Sequence, residues 1–173
     1  MKNFILLCLL LLAGNITAQT VYVNGSNATP GDGSDWATAY ANLNDALLEA
    51  PTGAEVWIAA GTYVTPDTAS FFIDKELTVL GGFAGTETEA SQANPTANLT
   101  LLSGDVLGND SPTAYDSLAY IDNNVVLFVT DTNQTSSYTV TLDGFTIAHG
   151  GIATDYVDGS FFPFLGAGLR SVA

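Results

Sequence analysis

Glu55-Val56-Trp57-Ile58-Ala59-Ala60-Gly61-Thr62-Tyr63 is a short apolar run, rich in β-branched and aromatic residues, that meets a glycine near its end. A run of this kind between turn-forming residues reads as a β-strand. Shorter versions recur down the chain: Phe71-Phe72-Ile73, Leu77-Thr78-Val79-Leu80 closed by Gly81-Gly82, Leu99-Thr100-Leu101-Leu102 closed by Gly104, Val125 to Val129, and Thr139 to Ile147. Repetition of one brief apolar motif predicts a stack, in which each strand is covered by a later copy of itself.

Grouped by spacing, the runs fall into threes. Val56 to Ala59, Phe71 to Ile73 and Leu77 to Leu80 form one group; Leu99 to Leu102, Val125 to Val129 and Thr139 to Ile147 form the next; Leu169 to Val172 opens a third. Each group is expected to be one turn of an all-β solenoid with three faces, continuing beyond Ala173. Val56, Ile58, Leu77, Val79, Leu99, Leu101, Leu142 and Ile147 are the expected interior residues, and Gly61, Gly81, Gly82, Gly104 and Gly144 the expected corners. Asp105 to Asn124 and His149 to Gly166 are expected to project as loops. A doubly wound α/β fold needs a helix between successive parallel strands, and no helical period follows Ala50.

Ahead of the stack, Val21-Tyr22-Val23 alternates as a first strand, and Asn24 to Asp35 is built from small and turn-forming residues. Leu43, Ala46, Leu47 and Ala50 then lie at i, i+3, i+4 and i+7, one apolar face of a short helix, with Asn42 as N-cap and Pro51 and Gly53 closing it. The physical task for such a helix is to cover the open end of the stack. Trp36, Tyr40 and Trp57 are expected to pack it against the first turn.

Met1-Lys2-Asn3, the apolar Phe4 to Ala13 and the small polar Gly14 to Gln19 have the three regions of a secretory signal peptide, with cleavage expected after Ala18. The apolar core is half of the roughly 20 residues that a spanning helix needs, so no membrane span is expected after cleavage. Cys8 is the chain's single cysteine and lies in this segment, which excludes disulfides and thiolate metal sites from residues 19–173. Loss of Lys2 leaves Lys75 and Arg170 against 18 acidic residues. Nucleic acid and anionic membrane surfaces are poor partners for such a chain, whereas calcium, which takes oxygen ligands, suits it. The predicted organisation is a signal peptide over 1–18, a strand, loop and capping helix over 19–54, and coils over 55–173.

The ordered series Val21-Tyr22-Val23, Asp32-Gly33-Ser34-Asp35-Trp36-Ala37, Asp45-Ala46-Leu47, Val56-Trp57-Ile58-Ala59-Ala60-Gly61-Thr62-Tyr63, Gly81-Gly82-Phe83-Ala84-Gly85-Thr86-Glu87, Leu102-Ser103-Gly104-Asp105 and Leu142-Asp143-Gly144-Phe145-Thr146-Ile147 resembles the N-terminal part of secreted right-handed parallel β-helix repeat proteins of Bacteroidetes-type bacteria. These are similar to the pectate-lyase-like and polymorphic outer-membrane protein superfamily. The resemblance implies a right-handed parallel β-helix with one N-terminal capping helix, and export to the medium, the cell surface or the outer membrane. It leaves activity open, because the superfamily holds polysaccharide lyases, glycoside hydrolases, adhesins and passive stalks.

Residue chemistry favours the passive end of that range. Lyase chemistry needs a basic residue and cationic help, and Lys75 lies in a solvated-looking turn, Asp74-Lys75-Glu76, far from Arg170. Hydrolysis needs paired carboxylates, but Asp32 and Asp35, Asp105 and Asp110, and Asp155 and Asp158 lie among glycine and asparagine, where turn chemistry accounts for them. Asp105, Asn109 and Asp110 are the calcium candidates, without the ligand spacing of an EF-hand. His149, the lone histidine, ends a strand and lacks a second metal-binding or orienting partner. Phe161, Phe162 and Phe164 either pack a loop onto a coil or present aromatic faces to a glycan or protein. The reading is a structural or adhesive surface module for extracellular glycans or surface proteins, without a catalytic site or cofactor. The alternative is the opening section of a carbohydrate-active enzyme whose catalytic coils lie beyond residue 173.

Overall fold

Side chains alternate across a strand, so a chain with apolar residues at every second position must find a partner face for them. The computed structural model describes residues 18–67, 69–110, 123–130, 138–151 and 169–172. In chain order the elements are β1 (Thr20–Val23), α1 (Leu43–Glu49), β2 (Ala54–Ala59), β3 (Gly61–Val64), β4 (Phe71–Ile73), β5 (Leu77–Phe83), β6 (Thr100–Ser103), β7 (Leu127–Thr130), β8 (Val140–Asp143), β9 (Thr146–Ala148) and β10 (Leu169–Val172), with a 3-10 turn at Ala90–Gln92. The fold is thus mostly β with one α-helix among the described residues.

The strands form three parallel sheets, in the spatial orders β1-β2-β5-β8, β3-β6-β9 and β4-β7-β10. From β2 onward the chain visits these sheets in strict rotation. Three rounds result: β2-β3-β4, β5-β6-β7 and β8-β9-β10. This differs in phase from the grouping expected from sequence. Val56 to Tyr63 is two strands, turning at Ala60, and Thr139 to Ile147 is likewise two, turning at Gly144. Leu77 therefore opens the second round, where sequence spacing had it closing the first. Leu169–Val172 pairs with Leu127–Thr130 and so ends the third round instead of opening it.

Register stacks like on like. Val21, Val56, Val79 and Leu142 form one column, Tyr63, Leu102 and Ile147 a second, and Phe71 and Leu127 a third. Residues of all three columns belong to one apolar core, which at roughly 25 cal/mol per Å² of buried apolar surface is the main favourable term in the fold. The helix packs on the core beside the first strands. Asn42 accepts from Asn44 N at 2.8 Å, and Leu43, Ala46 and Leu47 face the core beside β4. The outer edge of β1 is occupied by its own loop, through Tyr22 N to Gly33 O and Tyr40 N to Tyr22 O, both 2.9 Å, and Asn24 N to Tyr40 O, 2.8 Å.

At the corner after β8, Gly144 has φ 77°, and a Cβ there would lie 2.5 Å from Gly81 O. The two glycines therefore stack backbone on backbone, an approach that a side chain on either would prevent.

One irregularity moves a large side chain. Trp57 pairs with Leu80 but Ala59 pairs with Phe83, so β5 bulges by one residue at Gly81-Gly82. Phe83, which simple alternation would point inward, is turned outward and stacks on Trp57 with centroids 4.8 Å apart and planes at 5°. Tyr22 and Trp36 complete the group by edge contacts. Trp57 and Phe83 are 4% and 0% exposed yet lie outside the main core. Trp36 and Trp57 thus seal the outer face of the four-stranded sheet and do not hold the helix, as had been expected of them. Tyr40 does meet the helix, donating to Glu49 Oε2 at 2.6 Å.

Candidate functional site

Most of the acidic candidates are held in turns. Asp32 accepts from Ser34 N, and Asp35 from Thr38 N and Oγ1. Hydrogen bonding from the Ser34 side chain and backbone holds the Asp32 carboxyl, and from the Thr38 backbone and side chain the Asp35 carboxyl, below the usual aspartate range. Lys75 donates to Leu48 O at 2.6 Å, a carbonyl at the end of α1, where a positive charge also meets the negative end of the helix dipole. Lys75 lies in the bend between β4 and β5, as the sequence suggests, and from there its ammonium reaches the end of the helix. Glu87 accepts from the backbone N–H groups of Ala84, Gly85 and Thr86 at 2.7 to 3.0 Å. Burial raises the Glu87 pKa, but these hydrogen bonds outweigh it and the net shift is downward.

One polar cluster remains, at the turn that leaves the β3-β6-β9 sheet. β6 ends in Ser103, and the chain bends at Gly104, whose N–H donates to Ala148 O and whose carbonyl accepts from Asn124 N. Ser103 Oγ accepts from Asp105 N at 3.2 Å and lies 3.0 Å from His149 Nδ1. The Asp105 carboxylate closes a loop by accepting from Asn109 N on Oδ1, 3.0 Å, and from Asp110 N on Oδ2, 3.2 Å. Asp110 Oδ2 in turn accepts from Asn123 Nδ2 at 2.7 Å. Asp110 Oδ1 and Asn123 Oδ1 are buried without a hydrogen-bond partner. Beside them, Asn124 Nδ2 reaches the preceding round, donating to Thr65 Oγ1, Pro66 O and Ala69 O.

Of the expected calcium residues, Asp105 and Asp110 come together, while Asn109 contributes its backbone N–H to Asp105. Asn123, Asn124 and Ser103 belong to the cluster and were not singled out by sequence. The one signal available was the pair Asn123-Asn124 immediately before an apolar run. Among the described residues, no group of three or more His, Cys, Asp and Glu side chains is placed to hold a metal ion.

The Ser103–His149 contact has the composition of a nucleophile and a base. Ser103 is only 3% exposed, however, and its oxygen already accepts from Asp105 N. Nucleophilic catalysis also needs a third group to orient the base, and among the described residues no carboxylate is hydrogen-bonded to that ring. His149 is exposed and has φ 53°, uncommon for a residue with a Cβ. Asp155, Asp158, Phe161, Phe162 and Phe164 lie outside the described residues, and of Arg170 only the backbone is placed, opposite Phe128. Among the described residues no helix is long and apolar enough to cross a membrane, which leaves membrane β-barrels unaddressed. No family model, curated protein or solved structure matches the chain.

Proposed function

We propose that the protein is an exported right-handed parallel β-helix, capped by α1, that acts as a structural or adhesive module toward extracellular glycans or surface proteins. The observation that carries this reading is the rotation of successive strands among three parallel sheets, each column in register with the round before. Such a path supports a solenoid, a fold whose long side walls serve as binding or spacing surfaces. Handedness follows from the strong preference of parallel crossover connections for the right-handed sense. The signal-like residues 1–18 support export. The engagement of Asp32, Asp35, Asp105, Lys75 and Glu87 by backbone groups supports a passive role, since a catalytic acid or base must reach a substrate proton.

Export of the full chain from a bacterial host, followed by intact-mass measurement, should give a product beginning at Gln19; retention of Cys8 would overturn the export step. The exported protein should bind immobilised pectate, alginate, chondroitin or neutral glycans, or a surface protein, saturably and without releasing reducing ends or unsaturated products. Turnover abolished by Asp105→Asn or Lys75→Ala would instead establish a carbohydrate-active enzyme.

A further inference from the structure

The cluster at Asp110 contains an imbalance that the passive reading leaves unexplained. Asn123 is 5% exposed, and its Oδ1 and Asp110 Oδ1 are both buried acceptors with no donor. Asp110 is half-buried, and among the described residues its carboxylate receives one side-chain donor, the neutral amide N–H of Asn123 on Oδ2, while Oδ1 is shut off from water; an oxygen desolvated without a donor or a compensating charge is costly. Lys75 is engaged at the end of α1 and cannot also serve here. Two oxygen acceptors that lack donors are what a bound cation would satisfy.

We propose that Asp110 and Asn123 are ligands of a calcium ion and that Asp105 is the positioning residue of the site. Calcium is selected by donor chemistry. Both free atoms are oxygens, as hard cations require, and calcium completes six to eight positions with backbone carbonyls and water, so two side chains are a sufficient nucleus. Zinc and copper want imidazole or thiolate; residues 19–173 have no cysteine, and His149 Nδ1 already faces Ser103 Oγ. Magnesium keeps its waters and a strict octahedron, which a buried protein site accommodates poorly. Asp105 spends both carboxylate oxygens on the N–H groups of Asn109 and Asp110, so it fixes the loop that presents Asp110 without touching the ion. The ligand set therefore departs from the Asp105, Asn109 and Asp110 expected from sequence. Because Asp110 and Asn123 flank residues 111–122, one ion shared between them ties both ends of that insertion to the same corner.

Calcium chloride titrated into the full chain, followed by calorimetry and by thermal melting, tests the site. One ion per chain should bind, and the midpoint of melting should rise with calcium in the manner of a ligand that binds only the folded state, with magnesium far weaker. Asp105→Asn should weaken binding about 10- to 100-fold, the usual effect of losing an outer-shell partner, and Asp110→Asn should abolish it. Asp110→Asn keeps the shape and removes the charge, which also guards against a trivial folding defect. In chelator it should melt at or above the parent, and in calcium below it. A purely structural Asp110 would put the variant below the parent in both. Absence of binding at millimolar calcium, or equal binding by the Asp110→Asn, Asn123→Leu double variant, would overturn the proposal.

Discussion

Replacing Gly144 by alanine perturbs the corner at which two rounds touch backbone to backbone. Its φ of 77° disfavours a residue with a Cβ by about 1–2 kcal/mol. The added Cβ would also lie 2.5 Å from Gly81 O and 3.1 Å from Gly81 C, atoms that cannot swing aside, and overpacking of this kind costs about 1–3 kcal/mol. The expected loss is therefore about 2–5 kcal/mol. Two further alanine variants separate these contributions. Gly53 has φ 81° but nothing within 4 Å of an added Cβ, so Gly53→Ala should show the backbone part alone, about 1–2 kcal/mol. Gly81 has no positive φ, but its Cβ would meet Gly144 O at 2.6 Å and Phe145 Cβ at 2.9 Å, so Gly81→Ala should show the overlap alone, about 1–3 kcal/mol. Once one alanine has forced the corner open, the second has less to displace, and the double variant should lose less than the sum. Urea unfolding followed by far-ultraviolet circular dichroism measures all four. If Gly144→Ala costs no more than Gly53→Ala, or if positions 81 and 144 simply add, the stacked corner is refuted.

Asn42→Ala should lower stability by about 0.5–2 kcal/mol through loss of the cap on α1, read in the same urea assay; an unchanged midpoint would mean that Asn42 does not hold Asn44 N. Thr100 is fully buried, and its Oγ1 accepts from Gly82 N at 3.1 Å. Thr100→Val preserves the shape but strands that donor, and should cost about 1–3 kcal/mol. Tyr40 is pushed up to about 12, first by its hydrogen bond to Glu49 and then by burial and nearby carboxylates. Its phenol holds its proton more tightly folded than unfolded, so the associated stability is complete below about 10. It is lost as pH rises from there through about 12. Phenolate absorbance should show Tyr40 titrating late alongside Tyr63, which burial also raises, and Glu49→Gln should move Tyr40 alone back toward the ordinary value of about 10.

What sequence made legible here was local. Leu43, Ala46, Leu47 and Ala50 declare a helix face because their spacing needs no knowledge of the rest of the chain, and Asn42 caps it through a contact two residues away. Strand content was equally plain. The phase of the rounds was not, because Val56 to Tyr63 stays apolar through the corner at Ala60, and a period of two carries no mark where a strand turns onto the next face. The outward turn of Phe83 was hidden for a related reason: the bulge at Gly81-Gly82 is defined against β2 and does not exist in β5 alone. In the polar cluster, the Asp105 to Asp110 loop spans few residues and could be singled out. Asn123 reaches Asp110 across an insertion of 12 residues, 111–122, and no local pattern announces that contact.

The outer aromatic group has a consequence for any optical measurement on this protein. Both of the chain's tryptophans, Trp36 and Trp57, sit in it, against Tyr22 and Phe83. Intrinsic tryptophan emission therefore senses one wall of the first two rounds, and none of its emitters lies in β8, β9 or β10. In proteins whose elements contact mainly their neighbours, partial unfolding from one end is an accessible event. Loss of the last round would be silent in emission while backbone dichroism fell, so a gap between the two curves would be a direct readout of fraying at that end.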